Sequence, residues 1–114
     1  MKNFIGVDIE DVNRFKNISD KNFLNKIFTK NEIKYCLSKK NYAQHLAARF
    51  SGKEAVIKAL SSIDKKLELN QIEILNNKDG SPIVKLKNQK KINIKISLSH
   101  NNKNAIAFVL ASKK

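Results

Sequence analysis

The spacing of apolar residues changes twice along this chain, and the order of those changes restricts the fold to the α+β class. From Asn3 to Glu10 the pattern alternates: Ile5, Val7 and Ile9 share one face, Gly6, Asp8 and Glu10 the other. Asp8 thus points away from the Ile/Val face of a strand that reads as buried. Helical spacing follows. Asp11 can cap a short helix holding Val12 and Phe15, and Phe23, Leu24, Ile27 and Phe28 mark a second helical face. Thr29 followed by Glu32 is a capping box for a helix through Ile33, Tyr35 and Leu37, and a longer helix is expected from about Tyr42 to Leu60. Strand-like runs then occupy 71–75, 83–86, 92–98 and 105–110, with turn chemistry at Asn77-Lys78-Asp79-Gly80-Ser81-Pro82 and a polar hairpin loop at Asn101-Asn102-Lys103-Asn104. The expected architecture is an antiparallel sheet packed against a long helix and shorter N-terminal helices, in a single domain spanning 1–114. No repeat, low-complexity tail or linker interrupts it.

A chain of 114 residues can bury a real core but is too small to wall off a deep site unaided. An active site shared between subunits would relieve that limit. No apolar run approaches the ~18 residues of a membrane span, and the segment Met1 to Asp8 lacks the apolar core of a signal peptide, so no membrane partner and a cytoplasmic location are expected. Cys36 is the sole cysteine, which excludes an intrachain disulfide or a thiolate metal cluster and leaves it as helix filler.

The formal net charge of +13 invites a nucleic-acid reading, but Lys, Asn and Ile dominate the composition and only Arg14 and Arg49 are arginines. Arginine is the side chain of choice for bidentate phosphate and guanine contacts, so its scarcity counts against a sequence reader and no nucleic-acid partner is expected. The charge predicts fast, salt-sensitive attraction to an acidic partner.

Two acid-bearing segments carry the chemistry: Gly6-Val7-Asp8-Ile9-Glu10, and the run from Arg49 through Lys58. Glu54 and Lys58 are four apart and share a helix face with Ala47, Phe50 and Ser51; spacing alone favours an ordinary surface pair. Arg49 and Lys53, also four apart, repel mildly unless an anion such as phosphate lies near them. Gly52 costs the helix about 1 kcal/mol relative to alanine, a cost tolerated where another backbone or a ligand approaches closely. Magnesium suits Asp8 and Glu54 because it is held by one or two carboxylates with waters and substrate phosphates completing its shell. Zinc would want histidines or cysteines, and His45, His100 and Cys36 lack ligand spacing. A metal so held can bridge a pyrophosphate, with Lys58 one turn away to neutralise or protonate a leaving group. His100, where a strand ends, reads by itself as a turn residue or a satisfied polar group.

In this order, the pieces resemble the acyl-carrier-protein synthase group of 4′-phosphopantetheinyl transferases. Gly6-Val7-Asp8-Ile9 matches the family's N-terminal Gly-hydrophobic-Asp-hydrophobic strand, and Arg49 through Ala59 its Arg-Phe-x-x-Lys-Glu-Ala-x-x-Lys-Ala helix. Ile96 through His100 matches its hydrophobic-Ser-x-Ser/Thr-His segment, so the resemblance covers nearly the whole chain. It implies transfer of the phosphopantetheine arm of coenzyme A to a serine of apo acyl carrier protein, releasing adenosine 3′,5′-bisphosphate. Asp8 and Glu54 would bind magnesium; Glu54, directly or through a metal-bound water, would help deprotonate the serine; Lys58 would stabilise the leaving oxygen. Arg49, Lys53 and His100 would meet coenzyme A phosphates, and Arg14 would dock the acidic carrier protein. The resemblance also implies a homotrimer with sites between subunits. The chain departs from the pattern at Ser61-Ser62-Ile63-Asp64, where many relatives have a Gly-Thr-Gly-like turn, and at Ser51-Gly52, where two alanines are usual. A metal-dependent phosphohydrolase would use the same two carboxylates without needing a carrier protein. A basic nucleic-acid module would need aromatics interleaved with basic residues on one surface, whereas Phe4, Phe15, Phe23, Phe28, Phe50 and Phe108 mostly read as core-facing.

Overall fold

A computed structural model describes residues 2–18, 20–64, 66–87 and 91–114. The elements run β1 (Asn3–Asp11), a 3-10 turn (Val12–Phe15), α1 (Lys21–Ile27), α2 (Lys30–Leu37), α3 (Tyr42–Leu60), a second 3-10 turn (Leu69–Gln71), β2 (Ile72–Asn76), β3 (Pro82–Leu86), β4 (Ile92–His100) and β5 (Asn104–Lys113). Caps fall where side-chain acceptors are available. Asp11 Oδ1 accepts from the Asn13 amide at 2.9 Å, Asp20 Oδ1 accepts from Asn22 and Phe23, and the Thr29/Glu32 box is formed in both directions. At the β2–β3 turn, Gly80 takes a φ of +90°, a conformation costly for residues with a Cβ.

The strands divide into two antiparallel sheets rather than one: β1-β5-β4, and the hairpin β2-β3. In the larger sheet the last strand is central, so the two ends of the chain pair, with Gly6 opposite Val109 and Asp8 opposite Ala107. α3 lies across β1 and β5. The inward side chains of β5 are Ala105, Ala107, Val109 and Ala111, all buried, and they meet Ala47, Ala55 and Ala59 of α3 within the two core clusters. Small residues on both surfaces let the helix approach closely. At Gly6 the approach is backbone to backbone: a Cβ there would lie 2.0 Å from the Ala55 carbonyl oxygen. Gly52 is crowded instead by side chains, with Ile74 Cδ1 2.5 Å from where its Cβ would be.

This close approach reverses the expected sidedness of β1. Ile5, Val7 and Ile9 are exposed at 65%, 53% and 62%, while Gly6 and Asp8 face the helix. Opposite them stand Leu110, Phe108 and Ile106, also exposed, so three apolar cross-strand pairs form one outward patch. Among the phenylalanines, Phe15, Phe28 and Phe50 are buried together, with ring centroids 6.2 Å (Phe15 to Phe28) and 5.5 Å (Phe15 to Phe50) apart. Phe23 and Phe108 are exposed and Phe4 half-buried, contrary to the core-facing expectation. Among the described residues, no helix is long and apolar enough to cross a membrane.

Candidate active site

α3 runs antiparallel to β1, and this crossing assembles the acidic group. Ala55 and Ala59 sit over Gly6, and one turn earlier the Ser51 hydroxyl donates to the Asp8 carbonyl at 2.8 Å. One turn after Glu54, Lys58 extends to the strand, its Nζ donating to Val7 O at 3.0 Å and Asp8 Oδ1 at 3.1 Å. The Glu54–Lys58 surface pair suggested by spacing does not form, because Asp8 takes the ammonium. The Glu54 carboxylate has no hydrogen bond or ion pair among the described residues.

Asp8 Oδ2 is buried and meets no N–H donor among the described residues. Two residues along the same strand face, Glu10 is paired with Arg14 at 2.6 Å. Its carboxyl is nevertheless pushed up to about 7, first by burial and then by its hydrogen bond to Asp8 and that group's charge, against the opposing pull of Arg14. A buried carboxylate oxygen that meets no N–H donor among the described residues, with only a neighbouring carboxyl beside it, is stabilised by a hard cation, so these residues fit magnesium. Among the described residues no three of His, Cys, Asp or Glu converge on a metal position. The donor set therefore fits a cation that takes one or two protein carboxylates and completes its shell with water and substrate oxygen.

The second group lies about two strand spacings, roughly 10 Å, across the same sheet face. Glu10 pairs with Ala105, and Ala105 with His100, so the small alanine separates them. His100 Nδ1 is 2.8 Å from Gln44 Oε1 and its ring stacks edge-on against His45 at 5.1 Å. Arg49 is 4% exposed; its guanidinium lies 4.4 Å from the Tyr35 ring, its Nη2 donates to Asn76 Oδ1, and its Nε is buried without a hydrogen-bond partner among the described residues. Burial first, then the Arg49 charge, lowers the His100 pKa below its ordinary value.

Lys53 does not join either group. It is fully buried, paired with Glu32 at 2.6 Å and bonded to the Leu69 carbonyl at 3.0 Å and to the Ile72 carbonyl. An ammonium without solvent access and with all three N–H groups engaged is a structural anchor rather than a phosphate ligand, which corrects the sequence expectation. The like-charge conflict between Arg49 and Lys53 is resolved by Glu32, not by an anion. Glu32 also accepts from the Thr29 and Ile74 amides, tying α2, α3 and β2 together. The capping box revealed Glu32, but nothing in the sequence reading paired it with Lys53, 21 positions away. The contacts of Glu10 with Arg14, and of Gln44 and His45 with His100, were likewise missed; the (i, i+4) spacing of Glu10 and Arg14 was the available signal for the first.

Residues 4–109 match the family model of the 4′-phosphopantetheinyl transferase superfamily. The chain is 52% identical over 109 residues to a holo-[acyl-carrier-protein] synthase of Thermodesulfovibrio yellowstonii, covering 93% of this chain and 95% of that protein. It is 39% identical to one of Clostridium tetani, covering 91% and 90%. Among solved structures, the Bacillus anthracis holo-(acyl-carrier-protein) synthase in complex with CoA (3′,5′-ADP) superposes with a TM-score of 0.85 at 32% identity, covering 97% of this chain and 96% of that one. The Helicobacter pylori enzyme in complex with coenzyme A gives 0.81 at 31% identity, covering 95% and 99%. The chain belongs to the 4′-phosphopantetheinyl transferase superfamily, within its holo-[acyl-carrier-protein] synthase group.

Proposed function

We infer that this protein is a transferase that moves the 4′-phosphopantetheine group of coenzyme A to a serine of apo acyl carrier protein, giving the holo carrier and adenosine 3′,5′-bisphosphate, in a magnesium-dependent reaction. The observation that carries the site reading is the crossing of α3 over β1, which gathers Asp8, Lys58 and Glu10 around a buried carboxylate oxygen that meets no N–H donor among the described residues. Asp8 and Glu54 would hold the magnesium ion, which when bound offsets charge on the pyrophosphate. The serine hydroxyl attacks the phosphorus next to the pantetheine arm, and the bond from that phosphorus to the bridging oxygen breaks. Glu54, which meets no hydrogen-bond or ion-pair partner among the described residues, would take the serine proton, directly or through a water. Lys58 has two N–H groups engaged by Val7 and Asp8, and directs the third to the leaving phosphate oxygen. Arg49 and His100, across the sheet face, suit a further phosphate of the same substrate, since coenzyme A carries phosphate at both the pyrophosphate and the ribose.

The side chain of Arg14 is 53% exposed, and its guanidinium lies 5.0 Å from the Phe50 ring. Held in place by Glu10 and set on a chain of net charge +13, it suits docking of an acidic carrier protein. The outward patch of Ile5, Val7, Ile9, Ile106, Phe108 and Leu110 supports burial against further copies of the chain, and we assign it to a homotrimer interface. A single domain would then complete its shallow site with a neighbour. A cytoplasmic location accompanies this reading, and the free, buried Cys36 suits a reducing compartment.

The deciding experiment is the intact mass of an apo acyl carrier protein incubated with the protein, coenzyme A and magnesium, with a chelator control. A magnesium-dependent gain of one phosphopantetheine group is expected, and Asp8→Ala or Glu54→Ala should abolish it while leaving the fold intact. Full activity in either variant would remove the metal assignment. Cleavage of coenzyme A without transfer to any carrier would replace the transferase reading with a phosphohydrolase.

A further inference from the structure

His100 is held by α3 in a way that fixes which ring nitrogen is available. Its Nδ1 lies 2.8 Å from Gln44 Oε1, and the Asn41 side-chain amide donates to that same oxygen at 3.5 Å. With the Gln44 amide oxygen as the acceptor, His100 Nδ1 carries the hydrogen. Its other nitrogen, Nε2, has no partner among the described residues. His45 packs edge-on against the His100 ring and is itself backed by Tyr35 at 5.7 Å. The two histidines are not equivalent. His45 is pushed down to about 4, by burial first and then by the charges of His100, Arg49 and Lys39, so it stays neutral near pH 7. His100 is exposed at the end of β4.

With Nδ1–H committed, a neutral His100 presents a lone pair on Nε2. A lone pair repels a phosphate oxygen, whereas an imidazolium donates to it with charge assistance. We propose that Gln44 and His45 are positioning residues that aim His100 Nε2 at a phosphate of coenzyme A, and that this phosphate binds together with a proton on that nitrogen. This rests on the function proposed above, in which Arg49 and His100 meet the substrate's phosphates.

The charged groups around the ring agree with such coupling. Burial first, and then the Arg49 charge of α3, make the free His100 favour its neutral form; the neighbouring His45 is held neutral, and Lys39 lies over the Tyr35 ring. Tyr35 of α2 contributes its ring, Ala105 of β5 carries no charge, and the acid in the same sheet row, Glu10, is two strands away and already paired with Arg14. A phosphate arriving beside Arg49 reverses the sign of the local field and raises the proton affinity of Nε2. Coenzyme A binding should therefore weaken as pH rises, through KM rather than kcat.

The test is calorimetric titration of coenzyme A into the intact protein at fixed pH and magnesium, in two buffers of different ionisation heat. The expected result is an uptake approaching about one proton per site in the wild type, relative to His100→Gln. Glu10 titrates in both proteins, so the difference isolates His100. Equal proton exchange in both proteins, with coenzyme A bound, overturns the proposal and leaves the transferase reading standing. No binding of coenzyme A to the wild type removes both.

Gln44→Glu supplies a second measurement should His100→Gln bind too weakly. A carboxylate acceptor on Nδ1–H stabilises the imidazolium, so the pH midpoint of KM for coenzyme A should move upward, and with Gln44→Met downward. An unmoved midpoint in both Gln44 variants rejects the positioning role.

Discussion

Lys58 crosses from α3 to β1 and places its ammonium 3.1 Å from Asp8 Oδ1, joining two residues 50 positions apart. Asp8 is held almost buried while the side chain of Lys58 remains 54% exposed, so the pair contributes little to stability. Its value is orientation: the lysine is drawn to the carboxylate that would hold the cation. Lys58→Met should therefore lower kcat by about 100-fold or more, the scale of losing one donor to a developing oxyanion, with the melting temperature nearly unchanged. Single-turnover transfer and a thermal melt on the same preparation would check both halves.

Lys53 sets the opposite pattern. Its removal leaves Glu32 buried and uncompensated, a loss of about 3–5 kcal/mol for a broken buried pair, so Lys53→Met should melt far below the wild type or fail to fold. Adding Glu32→Gln should recover part of the stability. A Lys53→Met protein with wild-type melting and a raised KM for coenzyme A would return this lysine to the phosphate site.

Phe108 stands at the middle of the outward patch, opposite Val7. If the proposed assembly of three chains of 13.0 kDa forms through this patch, Phe108→Lys should convert it to monomers in light scattering and lower transfer. An unchanged mass, or a wild type that is already monomeric, would remove the assignment of this patch to a homotrimer interface.

His45 makes stability pH-dependent. Its pKa is near 4 in the folded protein and about 6.5 in an unfolded chain. Above both values it carries no penalty. As pH falls from about 6.5 towards 4, the unfolded chain takes up a proton that the folded one refuses, so stability declines over that window. His45→Phe keeps an aromatic ring between Tyr35 and His100 and should flatten this part of the curve in denaturant titrations at several pH values.

The local signals were legible because they act through backbone geometry. The alternation at 3–10, the Thr29/Glu32 box, the Tyr42–Leu60 helix and the Asp79-Gly80 turn all lie within a few residues of the structure they specify. The spacing of Glu54 and Lys58 placed them on one helix face for the same reason. Spacing says that two faces differ, however, and not what lies against each of them. On β1 the Ile/Val face reads as the buried one until Gly6 is found under the Ala55 carbonyl, where any larger residue would collide.

By itself, then, the sequence determined the element order, the α+β class and the ordered motifs that identify the family. Tertiary structure decided which charges stay accessible and which are buried to hold the fold. Lys53 and Lys58 look alike as helix lysines five residues apart, yet one meets Glu32 in the core and the other meets Asp8 at the surface. The physical reason is that a charged side chain is defined by its partner and its access to water, and both come from segments distant in sequence.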